Sequence, residues 1–260
     1  KKEEIKNLAL AIVRYWRKIQ HNDGSFDEYW PLERSIPATV FSLIAVCGIC
    51  ALFKVDNPKV KKAVRKAAQF LVKNRELRAL NQEVASMFAV YSAGIVLGSP
   101  SLRFQAEKKL QHLLSLQNEE GWFVEYGGVD LGYLTVSLNF MAEYYELSQD
   151  PRAKKSIEKM ADFLKYFVHP DGSFGGDYGS RNTEYFLPAG LEIAAKFHAL
   201  SGVVADKLLS YGLENFSVDD RYMAHYVFAS FVRAGMLYYR KPSQEKLPCE
   251  LETSIYFKNA

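Results

Sequence analysis

Two kinds of helical pattern alternate along this chain. Over Ile5 to Gln20, Val60 to Leu77, Leu102 to Leu116, Arg152 to Phe167 and Val203 to Phe216, Leu, Val, Ala and Phe recur at intervals of three and four, with Lys, Arg and Glu filling the other face. That is the pattern of a helix buried on one side. Ile36 to Phe53, Val84 to Leu97, Leu131 to Leu147, Leu187 to Leu200 and Tyr222 to Tyr239 are apolar around most of their circumference, as a helix with neighbours on several sides must be. The first set reads as outer helices and the second as inner ones. Short connections pair them into five antiparallel hairpins. Period-two alternation is confined to Glu252 to Phe257, which reads either as the first strand of a β domain or as a strand-like arm on the helices.

Three segments repeat one theme: Tyr15 to Tyr29 (YWRKIQHNDGSFDEY), His112 to Tyr126 (HLLSLQNEEGWFVEY) and Phe163 to Tyr178 (FLKYFVHPDGSFGGDY). Each is a helix end, a polar turn with Gly, then an aromatic. Their glycines, Gly24, Gly121 and Gly172, are spaced as two units and one unit of about 49 residues, a period that marks repeat arrays. It predicts degenerate turns near residues 73 and 221, where Asn74 to Asn81 and Ser217 to Arg221 are polar. The expected fold is therefore all-α, an α/α toroid formed as an incomplete ring of about five helical hairpins over residues 1–240, with a tail over 241–260.

Charge removes some partners from the picture. The 33 Lys and Arg against 30 Asp and Glu are spread over several helices, so nucleic acid gains no electrostatic footing. Ile36 to Phe53 is uncharged and just long enough to cross a bilayer, but Pro37, Thr39, Ser42 and Gly48 within it favour a buried helix. The three cysteines form no disulfide framework, and Cys47 and Cys50, inside an apolar run, read as buried thiols. Free cysteines slightly favour a cytoplasmic location, although the sequence starts at Lys1 without Met and a leader could have been removed. Oligomeric state is not legible.

In a ring of hairpins every outer-to-inner turn emerges on one rim. Those turns, Asp27 to Ser35 (DEYWPLERS), Val124 to Tyr133 (VEYGGVDLGY), Gly175 to Phe186 (GGDYGSRNTEYF) and Val218 to Tyr226 (VDDRYMAHY), are rich in functional side chains. Inner-helix N-termini there are expected to offer unpaired N–H groups and a positive dipole end to anions. Arg34, Arg181 and Arg221 add charge suited to carboxylates, unless they pair with Glu33, Glu184, Asp219 and Asp220 as turn braces. The acid–base candidates are Tyr178, Tyr185, Tyr222, Tyr226 and His225, with Asp130, Asp177, Glu184 and Asp220; His225 also suits a hydrogen-bonded core position. Signatures of serine hydrolases, nucleotide binding and zinc proteases are lacking. No metal or cofactor is expected.

The turns SLQNEEGWF, IQHNDGSF and VHPDGSF resemble the repeat of squalene cyclases and protein prenyltransferases, whose domains are α/α toroids; the acid motif and zinc set of those enzymes have no counterpart here. Tyr126 to Pro151 (YGGVDLGYLTVSLNFMAEYYELSQDP), Gly175 to Gly190 (GGDYGSRNTEYFLPAG) and the tail SIYFKNA resemble the toroid of heparinase II/III-like and alginate-lyase-like polysaccharide lyases. That resemblance implies that Asn182 with Arg181 neutralises a uronate carboxylate and that Tyr185 or Tyr178 transfers the proton. Those lyases often carry an Asn-His pair, and here Thr183 follows Asn182. The resulting expectation is a carbohydrate-active domain that cleaves an acidic oligosaccharide or polysaccharide by β-elimination. Tyr178, Asn182, Tyr185, Tyr222 and His225 are its catalytic candidates. Arg34, Tyr126, Asp130, Arg181, Glu184, Asp220 and Arg221 are its binding candidates. Glycoside hydrolysis with Asp177 or Glu184 opposite Asp220, a non-catalytic binding toroid and a terpene-cyclase relative are the alternatives.

Overall fold

The computed structural model describes residues 1–215, 221–238 and 245–251, the side chains of 213 and 221–226 excepted. Ten α-helices run through the described residues: α1 (Lys2–Ile19), α2 (Ile36–Leu52), α3 (Pro58–Lys73), α4 (Leu80–Val96), α5 (Pro100–Leu116), α6 (Leu131–Ser148), α7 (Pro151–Leu164), α8 (Pro188–Ala194), α9 (Ala199–Asn215) and α10 (Arg221–Leu237). Extended pairing among them is limited to isolated bridges in the turns. Ser217 to Asp220 and the alternating segment Glu252 to Phe257 lie outside the described residues.

The chain divides into two compact units, one of Lys1–Leu77 with Gln82–Leu113 and the other of Arg78–Asn81 with Leu114–Ala260. In the first unit, α1 opens on Glu3 and Glu4 and closes on Arg17 and Lys18, signs that suit the two ends of the helix dipole. Asn57 caps α3 by accepting the N–H groups of Lys59 and Val60, and Pro58 follows at a position where its missing N–H costs nothing. α2 buries Val40, Leu43, Val46, Cys47 and Cys50, and no described helix is long and apolar enough to cross a membrane. Burial pushes both thiols above their ordinary range. The α1 pattern is wider than its contact: Val13 and Trp16 are buried, while Ile5, Leu8, Ile12, Tyr15 and Ile19 form an exposed flank. An unexpected buried ion pair, Glu83 with Lys109 at 2.8 Å, links α4 to α5.

The second unit is built around α6, buried from Leu131 to Ala142 apart from Tyr133, which packs on α7 and α8. Asp150 and Pro151 start α7 as Asn57 and Pro58 start α3. The inner helix expected over Leu187 to Leu200 is shorter: α8 stops at Ala194, and α9, the counterpart of the outer helix expected over Val203 to Phe216, starts at Ala199. Tertiary contacts turn the chain there. Lys196 reaches Glu146 at 2.5 Å, the Phe197 ring meets Tyr145 edge-on, and His198 Nδ1 lies 2.9 Å from Ser201 Oγ at the new helix start.

Two of the three repeated turns share one physical design. Gln20 and Gln117 each donate to the carbonyl of their turn glycine and to a carbonyl of a following helix, Ala63 or Ser156. Gly24 and Gly121 have φ of 101° and 110°, and a Cβ on either would lie 2.3 or 2.2 Å from the carbonyl oxygen of Lys66 or Lys159. Only glycine lets the turn seat on the next outer helix.

Candidate functional site

Within the second unit, two turns are knitted together at the start of α6. Asp130, fully buried, caps that helix by accepting the Tyr133 N–H at 3.1 Å. The same carboxylate accepts the N–H groups of Arg181 at 3.0 Å and Thr183 at 3.4 Å and the Thr183 hydroxyl, and Thr183 Oγ1 in turn accepts the Gly132 N–H at 2.9 Å. Ser180 donates its N–H to the Val129 carbonyl and its hydroxyl to the Glu125 carbonyl. Glu125, also fully buried, receives the Asn81 backbone N–H at 2.6 Å and its Nδ2 at 2.7 Å, while the Tyr126 N–H donates to the Arg78 carbonyl. A Cβ on Gly132 would lie 2.3 Å from Thr183 Oγ1 and one on Gly179 2.8 Å from Asp130 Oδ2. Gly179 of the turn and Gly132 of α6 thus let the two approach closely.

What this scaffold holds outward is a cation beside aromatic rings. The Arg181 guanidinium carbon stands 4.7 Å from the centre of the Tyr126 ring, within cation–π range. Tyr126 neighbours Tyr133 at 6.3 Å, and Tyr133 meets Tyr185 edge-on at 5.9 Å. Arg181 makes no ion pair among the described residues, and Asn182 beside it is exposed with φ of 53°. Tyr126, too, is left-handed at 53°. Such backbone in non-glycine residues costs of order 1 kcal/mol and concentrates at working sites. Tyr178 is exposed, its ring edge-on to His169 at 5.7 Å. His169 Nδ1 lies 2.7 Å from Ser173 Oγ, which donates to Asp171 at 2.8 Å; the Ser173 N–H and hydroxyl hold the Asp171 carboxyl below its usual range.

Tyr126, Asp130, Arg181, Asn182, Tyr185, Tyr178 and Glu184 all belong to this pair of turns, and Glu184 is exposed. Arg34 lies in the first unit, where it pairs with Asp23 at 3.2 Å rather than with Glu33. α10 begins at Arg221, so Arg221, Tyr222 and His225 fall in its first turns; their side chains, and Asp220 altogether, lie outside the described residues.

The expectation of unpaired N–H groups fails at the inner-helix starts whose surroundings are described, those of α2, α4, α6 and α8. Asp130 and Thr183 take those of α6, Ser35 caps α2, Glu125 takes the Asn81 N–H of α4, and Ser230 takes the Ala189 N–H of α8. Burial makes unmet donors costly, so side chains fill them. Asn81, Glu125, Thr183 and Tyr133 were not among the predicted site residues, since a buried brace gives no sequence period. The Thr183 hydroxyl has a visible task, the tie to Asp130 and α6.

The family model described as ulvan lyase N-terminal domain matches residues 1–187 of the chain. Among solved structures, the chain is similar to an inactive variant of an α-1,6-mannanase of Salegentibacter sp. HEL1_6 in complex with α-1,6-mannotriose. The TM-score is 0.60 at 12% identity, over 83% of this chain and 71% of that one. This likeness shows the fold, which is of the α/α-toroid class. Comparison with curated proteins finds no match.

Proposed function

The chain belongs to the ulvan lyase N-terminal domain family, and we propose that it binds an acidic polysaccharide at the Tyr126–Arg181–Asn182 cluster and cleaves it by β-elimination. The observation that carries this reading is Arg181: a guanidinium without a carboxylate partner among the described residues, its backbone fixed by buried Asp130 and its side chain resting on Tyr126. Arg suits a uronate carboxylate because its planar fork matches two oxygens. Arg181 with the Asn182 amide then stabilises the charge that builds on that carboxylate as the neighbouring carbon loses its proton.

The step balances without a co-reactant. A base removes the proton α to the carboxylate, and that electron pair forms the new C4=C5 double bond. The C4–O bond breaks, and the leaving oxygen takes a proton from an acid. Tyr178 and Tyr185 are the two tyrosines of this cluster proposed for proton transfer, with Tyr222 and His225 of α10 as the other candidates. Asp130 is assigned to positioning, because its oxygens are occupied by the turn and the helix cap.

Incubation with ulvan, scored for both ultraviolet absorbance of the unsaturated product and new reducing ends, tests the reading. Elimination raises both signals. Reducing ends without absorbance would mean hydrolysis, for which the mannanase-like fold and the carboxylates Asp177, Glu184 and Asp220 supply the alternative. Neither signal on ulvan or on other uronate polymers would leave a binding domain.

A further inference from the structure

The first hairpin's turn, residues 27–35, holds its aromatic side chains out on a backbone braced from within. Glu33 accepts the N–H groups of Glu28 at 2.9 Å and Tyr29 at 3.0 Å, and Asp27 accepts those of Leu32 at 2.9 Å and Arg34 at 3.0 Å. Ser35 Oγ donates to Glu28, and the Glu33 N–H to the Trp30 carbonyl. Outside the turn, His21 Nε2 lies 2.8 Å from Asp27, and Asp23 holds Arg34. Leu32 and Arg34 adopt φ of 65° and 55°, which side chains of L residues rarely do.

On this frame Trp30 is 72% exposed and Tyr29 65%. The other two tryptophans, Trp16 and Trp122, are only 5% and 7% exposed.

We propose that Trp30 and Tyr29 form a sugar-stacking subsite on the first unit, taking the apolar face of a neutral pyranose of the polysaccharide. The choice of occupant rests on the reading of this chain as glycan-acting, and three observations favour it. Tyr29 holds the place in its repeat that Tyr126 and Tyr178 hold in theirs, five or six residues after the turn glycine. Broad, stiff rings on a preformed turn lose little side-chain freedom on binding, which suits a flat ligand face. Asp23, Asp27, Glu28 and Glu33 outnumber Arg34 and His21 around the turn, so a neutral sugar is favoured over a uronate and its hydroxyls find acceptors nearby. The subsite adds grip on a polymer and takes no part in bond breaking.

Because Trp30 is the one exposed tryptophan of three, its fluorescence reports occupancy directly. The 260-residue chain is titrated with ulvan and, separately, with α-1,6-mannan, following acrylamide quenching, while affinity electrophoresis measures binding independently. Bound polysaccharide is expected to shield Trp30. Trp30→Ala should weaken polymer binding roughly 5- to 10-fold, the loss of one aromatic contact, with the melting temperature and kcat unchanged, and Trp30→Phe should restore part of it. Binding that leaves quenching unaltered overturns the subsite, as does a Trp30→Ala variant that binds like the parent. Shielding that grows with protein concentration in the absence of polysaccharide points to a second copy and overturns it too. Shielding without cleavage removes the elimination reading and keeps the subsite; cleavage with an indifferent Trp30→Ala does the reverse. No shielding and no cleavage removes both.

Discussion

Asp130 and Arg181 are joined by one hydrogen bond and are expected to fail in opposite ways. Asp130 is buried, and its carboxylate serves a helix cap, two turn N–H groups and a hydroxyl. Its replacement by Ala removes the cap and strands donors, a loss of about 2 to 4 kcal/mol, seen as a drop in melting temperature together with lost activity. Among the described residues, the Arg181 guanidinium rests on the Tyr126 face and makes no ion pair. Arg181→Ala should move the midpoint by no more than a few degrees, on the scale of about 0.5 kcal/mol for an exposed side chain, yet weaken binding to acidic oligosaccharides. A large thermal loss without a ligand effect would put Arg181 in the scaffold. The sequence points to both residues as binders; separating brace from contact takes the burial of each side chain, which a turn's composition does not reveal.

At the scale of elements, helical period carries most of the boundaries, because burial of one face or of nearly all faces leaves its mark in spacing. It fails where tertiary contacts turn a chain that has no breaker residue, as at Lys196 to His198, where pairing with Glu146 and Tyr145 ends α8 early. Glycines separate the same way. Gly121→Ala sets a Cβ 2.2 Å from the Lys159 carbonyl at a φ of 110° and should cost upwards of about 2 kcal/mol. Gly48→Ala in α2 meets nothing within 4 Å and should be neutral or stabilising by up to about 1 kcal/mol. Paired chemical denaturation curves check both.

The turn 27–35 carries a pH prediction. Backbone donors, the Arg34 N–H at Asp27 and the Tyr29 N–H at Glu33, hold both carboxyls below their ordinary range. A folded-state value below the unfolded one gives a contribution that is complete above the unfolded value and lost as pH falls through the folded one. Trp30 fluorescence should therefore stay constant from neutral pH down to about 5 and change only below about 4.

For the whole molecule, the formal net charge of +3 bears on how the proposed polyanionic substrate would be captured. A charge this small, spread over many helices, exerts little pull beyond the Debye length of about 8 Å at physiological salt. Capture of an acidic polymer must then rest on close contacts, and Arg181 is the cation that the second unit holds at its turn cluster without an ion-pair partner among the described residues. One such contact gives a shallow salt dependence. Between 50 and 200 mM salt the apparent KM should rise by about 3-fold at most, the effect of releasing about one counterion. Arg181→Ala should raise KM at low salt and flatten this dependence, whereas Trp30→Ala should raise KM and leave the slope unchanged, because its contact carries no charge. A steep dependence that survives Arg181→Ala would mean that several dispersed lysines and arginines grip the polymer together, and the cluster around Tyr126 would lose its place as the anion-binding centre.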